Sequence, residues 1–234
     1  MEKQIYTLFL LLIASLQLVN TRTITTNDLH QALYEAKPGD IIELKSGFYR
    51  NHSYVLKNGT FSMPIKIKSA PNAQVYFIGQ PDECIFEAER LQYVTFEGPM
   101  VLRDALCGFK IVDSSYINIT NISIDNMSQQ AILISGFLNI ISQNDIKGCV
   151  LENKQDAKRK QSGWSQCLAV WGLSNGEFSS YITISQNKIS NSYGEAVYFL
   201  NCKNCSVTGN NITNGLSANI YIDSSKDIQL LKMF

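Results

Sequence analysis

Residues 181–222 contain a repeat that leaves this chain few folds to choose from. A shift of 23 positions carries Ile182 onto Cys205, Ile184 onto Val207, Asn187 onto Asn210, Ile189 onto Ile212, Asn191 onto Asn214, Val197 onto Ile220 and Phe199 onto Ile222. Each copy holds three short runs of alternating apolar residues separated by Asn, Ser and Gly, which reads as three strands and three turns with no room for a helix. A unit of that size buries its apolar side only by stacking on copies of itself. The expected fold class is therefore all-β, a solenoid of parallel strands with about 23 residues per coil.

Extended towards the N-terminus, the same register shows where it breaks. Val94, Phe96, Val101, Phe109 and Ile111 map by 23 onto Ile117, Ile119, Ile124, Ile132 and Ile134, and these map by 65 onto Ile182, Ile184, Ile189, Val197 and Phe199. Residues 142–146 match 185–189 at a shift of 43, so one coil, containing 138–171, is about 20 residues longer than the others. The extra residues are expected between its second and third strands, as a loop insertion at 150–166 that carries Lys158, Arg159, Lys160 and Trp164. An insertion in a solenoid projects from one side, and long loops are where function is usually carried.

The flanks read differently. Lys3 followed by the apolar run 7–19, too short to span a bilayer comfortably, reads as a signal peptide over 1–22, the alternative being an uncleaved signal anchor. The expectation is a secreted protein, with no membrane attachment after cleavage, whose β-helix domain occupies 23–234. Its first element should be a short capping helix within 23–40, capped by Thr26 or Asn27, with Leu29, Ala32, Leu33 and Ala36 on one face and an end at Lys37-Pro38-Gly39. All five prolines lie at or before Pro99, which leaves the later strands free to donate on both sides. Residues 227–230 begin another coil with no amphipathic cap after it, so the last coil is expected to be open, to be met by further coils or by a partner.

With 45% apolar residues and a formal net charge of zero, the chain has the means for a sizeable core and lacks the basic excess of a nucleic-acid binder. In an oxidising compartment its six cysteines become a question of geometry. Cys84 and Cys107 are one coil apart, about 4.8 Å, within disulfide reach. Cys149 and Cys167 bracket the insertion and would staple its base. Cys202 and Cys205 have the spacing of a zinc or redox pair, but no second pair and no nearby His accompanies them, and the expectation is one buried thiol and one exposed. The two histidines, His30 and His52, lie outside the regular coils, which excludes a Ser-His-Asp site or a His-ligated metal there.

Residues between the inward apolar ones point outwards. On the third strand the outward stack is Lys110, Leu133, Ala169, Tyr198 and Tyr221; after it Trp171, Leu200 and Asp223 align, and before it Gln130, Gln166, Glu195 and Ala218. Glu195, Tyr198, Tyr221, Trp171 and Asp223 are thus expected on one flank with the basic loop and Trp164. Aromatic planes suit pyranose faces, while amides and charges take hydroxyls and carboxylates, so the expected partner is a polysaccharide. Equally, Tyr198 and Tyr221 are a cross-strand pair of the kind that stabilises a coil edge. Asn144, Asn187 and Asn210, and separately Asn191 and Asn214, read as structural amide ladders. Seven Asn-x-Ser/Thr sequons occur, of which Asn51 and Asn58, in the irregular region, are the expected glycosylation sites.

The coil sequences YGEAVYF, VTGNNITN and ANIYIDSS resemble those of secreted right-handed parallel β-helix proteins of the pectin-lyase-like superfamily. The opening LHQALYEAKPGDIIELKSGFY is similar to the N-terminal cap of chondroitinase-B-like and alginate-lyase-like members. The resemblance covers about residues 24–230 and is specific for fold. Of the chemistries it implies, polygalacturonase-like hydrolysis lacks its aspartate cluster and Gly-His-Gly turn. Pectate-lyase-like elimination wants more carboxylates for calcium than Glu195 and Asp223. Chondroitinase-like β-elimination wants a Lys or Arg base, a role open to Arg159 or Lys158, with Glu195 as an orienting or calcium-binding partner. Uronate epimerisation would draw on similar residues. The alternative is a non-catalytic glycan-binding or structural matrix protein.

Overall fold

The computed structural model describes residues 20–50, 52–154 and 165–232. Residues 1–19 of the expected signal peptide, and Asn51, Lys158, Arg159, Lys160 and Trp164, lie outside the described residues.

The chain is mostly β, and its sheet is parallel throughout. Each coil contributes to three ladders, in which a strand pairs in parallel with the equivalent strands of the coils before and after it. In the first ladder Ile42, Ile67, Phe96, Ile119, Ile141, Ile184, Val207 and Leu230 are in register. The second aligns Phe77, Leu102, Ile124, Ile146, Ile189 and Ile212. The third aligns Phe86, Phe109, Ile132, Leu168, Val197 and Ile220. Alternation puts these side chains on the inner face of each strand, and like sits on like. Apart from Leu230, which is 45% exposed, they form one core, in which Phe77, Phe86, Phe96 and Phe109 pack ring against ring at 4.9 to 5.2 Å. Most of these residues are β-branched or aromatic, which fit a pleated surface buried on one side.

The buried asparagines carry the turn between the first and second ladders. Asn187 Nδ2 donates to Ile141 O at 3.0 Å and to Asn210 Oδ1 at 2.9 Å, and its Oδ1 accepts from Asn144 N and Nδ2 at 3.0 and 2.9 Å. Asn144 and Asn210 repeat the pattern with Ile119 O and Ile184 O. Each amide satisfies backbone groups that the turn has turned away from the ladders. The outer pair, Asn191 and Asn214, is joined by one longer contact of 3.4 Å.

Both expected disulfides form. Cys84 and Cys107 are paired residues of neighbouring coils with Cα atoms 4.4 Å apart, and Cys149–Cys167, at 5.3 Å, closes the base of the insertion. Cys202 and Cys205 are free, and here the expectation needs correcting, because both are buried. Each thiol points into the core and donates to backbone carbonyls, Cys202 to Val170 O and Leu200 O, Cys205 to Lys203 O. Burial pushes the Cys202 thiol up to about 12, so it is not a nucleophile at neutral pH.

Further corrections concern register and boundaries. A strand, Thr21–Ile24, precedes the capping helix and pairs with Ile41–Leu44. The helix α1, Leu29–Glu35, buries Leu29, Ala32 and Leu33 against the core, and its N-cap is Asp28, which instead accepts from the Thr25 hydroxyl at 2.5 Å. Between Glu97 and Met100 the pairing slips by one residue, so Leu102 rather than Val101 faces inwards opposite Ile124. The slip falls at Gly98-Pro99, where proline has no N–H to give the ladder. The extra residues of the long coil are also split. Besides the stretch between Cys149 and Leu168, eight positions separate Trp171 from Ser179 where two separate their partners Leu200 and Cys202. The additional loop at 172–178 is tied across the coils by Asp113, whose carboxylate accepts from Ser174 N at 3.0 Å and from the Ser174 hydroxyl.

Replacing Asn187 by Ala would leave Asn144 N and Ile141 O without their buried partners, at a cost of about 3 kcal/mol. A urea melt of the Asn187→Ala variant is expected to show the corresponding drop in midpoint with little change in slope.

Candidate functional site

The expected flank assembles from the third ladder. Ala169, Tyr198 and Tyr221 are in register, as are Trp171, Leu200 and Asp223 two positions further along the same strands. Because alternate residues share a face, both rows point away from the core. The outward row is not open along its whole length: Leu133 and Ala169 are buried, whereas Tyr221 is 49% and Trp171 38% exposed. Accessible surface on this row therefore lies around Tyr198 and Tyr221.

The two tyrosine rings stack with centroids 5.6 Å apart and planes 7° from parallel. They cover one another in part, so each is at once a strut between coils and, on its uncovered side, an apolar plane. Tyr198 OH donates to Asp223 Oδ2 at 3.4 Å. Partial burial, then the negative charge of Asp223 and, more weakly, of Glu195, pushes the Tyr198 phenol up to about 12. Tyr198 is thus a neutral proton donor over the physiological range. Asp223 is itself braced, accepting from the Ser224 hydroxyl at 3.0 Å, while its backbone carbonyl accepts from Ser225 Oγ at 2.7 Å.

Glu195 lies before the strand, where Cys167 N donates to its backbone carbonyl. Its Oε1 accepts from Ser217 Oγ at 3.0 Å, and its Oε2 is buried with no hydrogen-bond partner among the described residues. The flank therefore brings together Glu195, Tyr198, Tyr221, Asp223 and Trp171. The remaining expected members, Lys158, Arg159 and Trp164, lie outside the described residues.

Two cations on this flank escaped the sequence reading. Lys203 and Lys226 follow Leu200 and Asp223 at the next bend and are in register, one coil apart. Their ammonium groups stand 5.8 and 5.5 Å from the centre of the Phe178 ring, which the extra loop delivers. The 23-residue shift that revealed the repeat also carries Lys203 onto Lys226, so the pair was legible; the position of Phe178 was not, because no repeat contains it.

On the second ladder, Arg103, Asp125 and Lys147 are in register on successive coils and border a pocket of about 310 Å³. Arg103 Nε donates to Asp104 Oδ2 at 2.7 Å. Burial raises the Asp125 carboxyl above its ordinary range in spite of Lys147 and Arg103.

Among the described residues no three carboxylate, thiolate or imidazole groups converge, and Glu195 with Asp223 falls short of the roughly six to eight oxygens that a calcium ion takes.

The Asp223 charge is one of the causes that hold the Tyr198 proton, so Asp223→Asn is expected to lower that ionisation part of the way from about 12 towards 10. The folded-state value lies above the unfolded one, so the stability it contributes is intact below pH 10 and is lost as pH rises towards 12. Difference ultraviolet titration of phenolate absorbance, variant against wild type, measures the shift directly.

No family model and no curated protein matches the sequence. Among solved structures, the chain is similar to an alginate lyase from Paenibacillus sp. strain FPU-7, with TM-score 0.57 and 14% identity over 92% of this chain and 100% of that one. A mannuronic acid specific family 6 polysaccharide lyase from human gut microbiota gives TM-score 0.66 and 16% identity over 87% of this chain and 51% of that one. A further family 6 alginate lyase gives 0.56 and 15%, over 82% and 32%. The chain thus spans about half and a third of the latter two. At such identities the likeness is one of fold: this chain has the parallel β architecture found in polysaccharide lyases.

Proposed function

We propose that this chain is a secreted, right-handed, single-stranded parallel β-helix protein that binds uronate-containing polysaccharide on its third-ladder flank and cleaves it by β-elimination. The observation that carries the reading is the stacked pair Tyr198–Tyr221 with Glu195 before its strand, Asp223 after it, and Lys203 and Lys226 at the next bend. It offers the three things such a glycan needs: an apolar plane for the sugar ring, oxygens for its hydroxyls, and cations for its carboxylate. Two disulfides fit an oxidising, extracellular setting. Neighbours in fold that act on alginate make an alginate-like polymer the first substrate to supply.

β-Elimination removes the proton next to the uronate carboxylate, expels the oxygen at C4 and leaves an unsaturated sugar. Lys203 and Lys226 would neutralise the carboxylate, which makes that proton removable. Arg159 or Lys158 of the insertion would take it, oriented by Glu195. Tyr198, neutral up to about pH 12, would return a proton to the leaving oxygen. The electron pair released from the C–H bond forms the C4–C5 double bond as the C4–O bond breaks, so no oxidant or reductant is involved.

Alginate, pectate and chondroitin supplied separately, with calcium present and absent, test the reading by absorbance of the unsaturated product. At least one polymer is expected to yield it, and Lys203→Ala with Lys226→Ala to slow the reaction about a hundredfold. Retention on a glycan column without product would replace the lyase by a non-catalytic glycan binder. Neither product nor retention would overturn both.

A further inference from the structure

Beyond the lysines, the bend between the third and first ladders carries an unusual column. Gln92, Ser115, Phe137, Ser180, Lys203 and Lys226 are in register. The next residue of each coil is Tyr93, Tyr116, Leu138, Tyr181, Asn204 and Asp227, and all of these have φ between 53° and 59°. Asn and Asp accept that left-handed conformation readily; Tyr and Leu do so only at a steric cost. If the bend merely had to turn the chain, Asn204 shows which residue does so cheaply. Large side chains held there against the backbone preference point to work done by the side chains.

These side chains form an exposed apolar stripe. Tyr181 is 56% exposed, Ile140 43%, Phe137 42% and Tyr116 37%. Tyr93 and Tyr116 stack at 4.3 Å and so hide each other's faces, but Phe137 stands 78° to Tyr116, and among the described residues no ring packs on Tyr181. Ring faces are therefore free at Phe137 and Tyr181, and Phe178 continues the stripe towards Lys203 and Lys226. Neither lysine is in an ion pair among the described residues, and the nearest carboxylate in the adjoining column is that of Asp227.

We propose that this bend is a second glycan-binding surface, an aromatic extension that takes the part of an anionic polysaccharide chain lying beyond Lys203 and Lys226. It rests on the reading that the lysine flank binds a uronate polymer. The two unpaired cations at one end of the stripe select an anionic chain, and the row of apolar rings, rising about 4.8 Å per coil, lets successive sugars lie along the stacking axis. Tyr181 lies one coil from Lys203 and two from Lys226, so a chain of about three sugars already reaches from the lysines to Tyr181, and a longer one reaches Phe137.

Tyr181→Gly isolates the side chain from the fold, because Gly accepts φ of 57° without a steric cost. Its thermal midpoint is expected to stay within about 4 °C of wild type. Affinity for alginate polymer, measured by calorimetry, is expected to fall roughly fivefold, and in Tyr181→Gly with Phe137→Ser further still. Polymer affinity equal to wild type in both variants, with Tyr221→Ala still weakening it, would overturn the extension and leave the flank standing. Wild-type protein that does not bind the polymer would overturn the extension together with the reading beneath it. A dimer in sedimentation that the Phe137 and Tyr181 substitutions dissolve, with alginate binding intact, would assign the stripe to a second copy of the chain instead.

Discussion

Parallel stacking in register is the constraint on which everything else in this molecule depends. Once Ile119 must lie on Ile141 and Ile141 on Ile184, every neighbouring position is stacked too, inward and outward alike. The hydrophobic effect enforces the inward half: a slip of one residue would turn an entire column of buried Ile, Val and Phe towards water. The amides of Asn144, Asn187 and Asn210 enforce the same register at the turn, because their hydrogen bonds reach from coil to coil and have no substitute once buried.

The outward half follows without further cost. Tyr198 over Tyr221, Lys203 over Lys226, and Arg103, Asp125 and Lys147 in a row exist because the inner columns align their strands. A surface built in this way is a set of parallel rows, one step per coil, which suits a ligand that is itself a repeating polymer. It is also rigid, since each row is anchored through alternate residues of a buried strand. What individualises such a surface is where the rows are interrupted. The long coil does this twice, with the stretch closed by Cys149–Cys167 and with the loop that Asp113 holds and that carries Phe178 to the lysines.

The flank also shows why an aromatic row is ambiguous. Tyr198 and Tyr221 are close enough to support one another, and the bond to Asp223 fixes Tyr198 in place. A support that leaves one ring face free can still offer that face to a ligand, and a pre-ordered one would lose little side-chain entropy on binding. The Oε2 of Glu195 beside it, buried and without a partner among the described residues, is the kind of orphan that a fold keeps only where another group compensates or uses it.

Much of this was written in the sequence. The shift of 23 contains the coil length, the Ile columns, the Asn ladders, the Cys84–Cys107 disulfide and, where it fails, the long coil whose insertion Cys149 and Cys167 bracket, because a periodic core demands periodic residues. It also placed Glu195, Tyr198, Tyr221, Trp171 and Asp223 on one flank, since the alternation of a strand is a local rule. The finer departures from the period were not legible. The slip at Gly98-Pro99, the strand Thr21–Ile24 before the helix, the burial of both Cys202 and Cys205 and the split of the insertion depend on how the bends close around the core. No repeat specifies those bends. The burial of Ala169 beneath an outward-facing row, the meeting of Phe178 with Lys203 and Lys226, and the left-handed column through Tyr93, Tyr116, Leu138 and Tyr181 were decided by tertiary structure alone, because each joins residues whose contact depends on the path of an irregular segment in space.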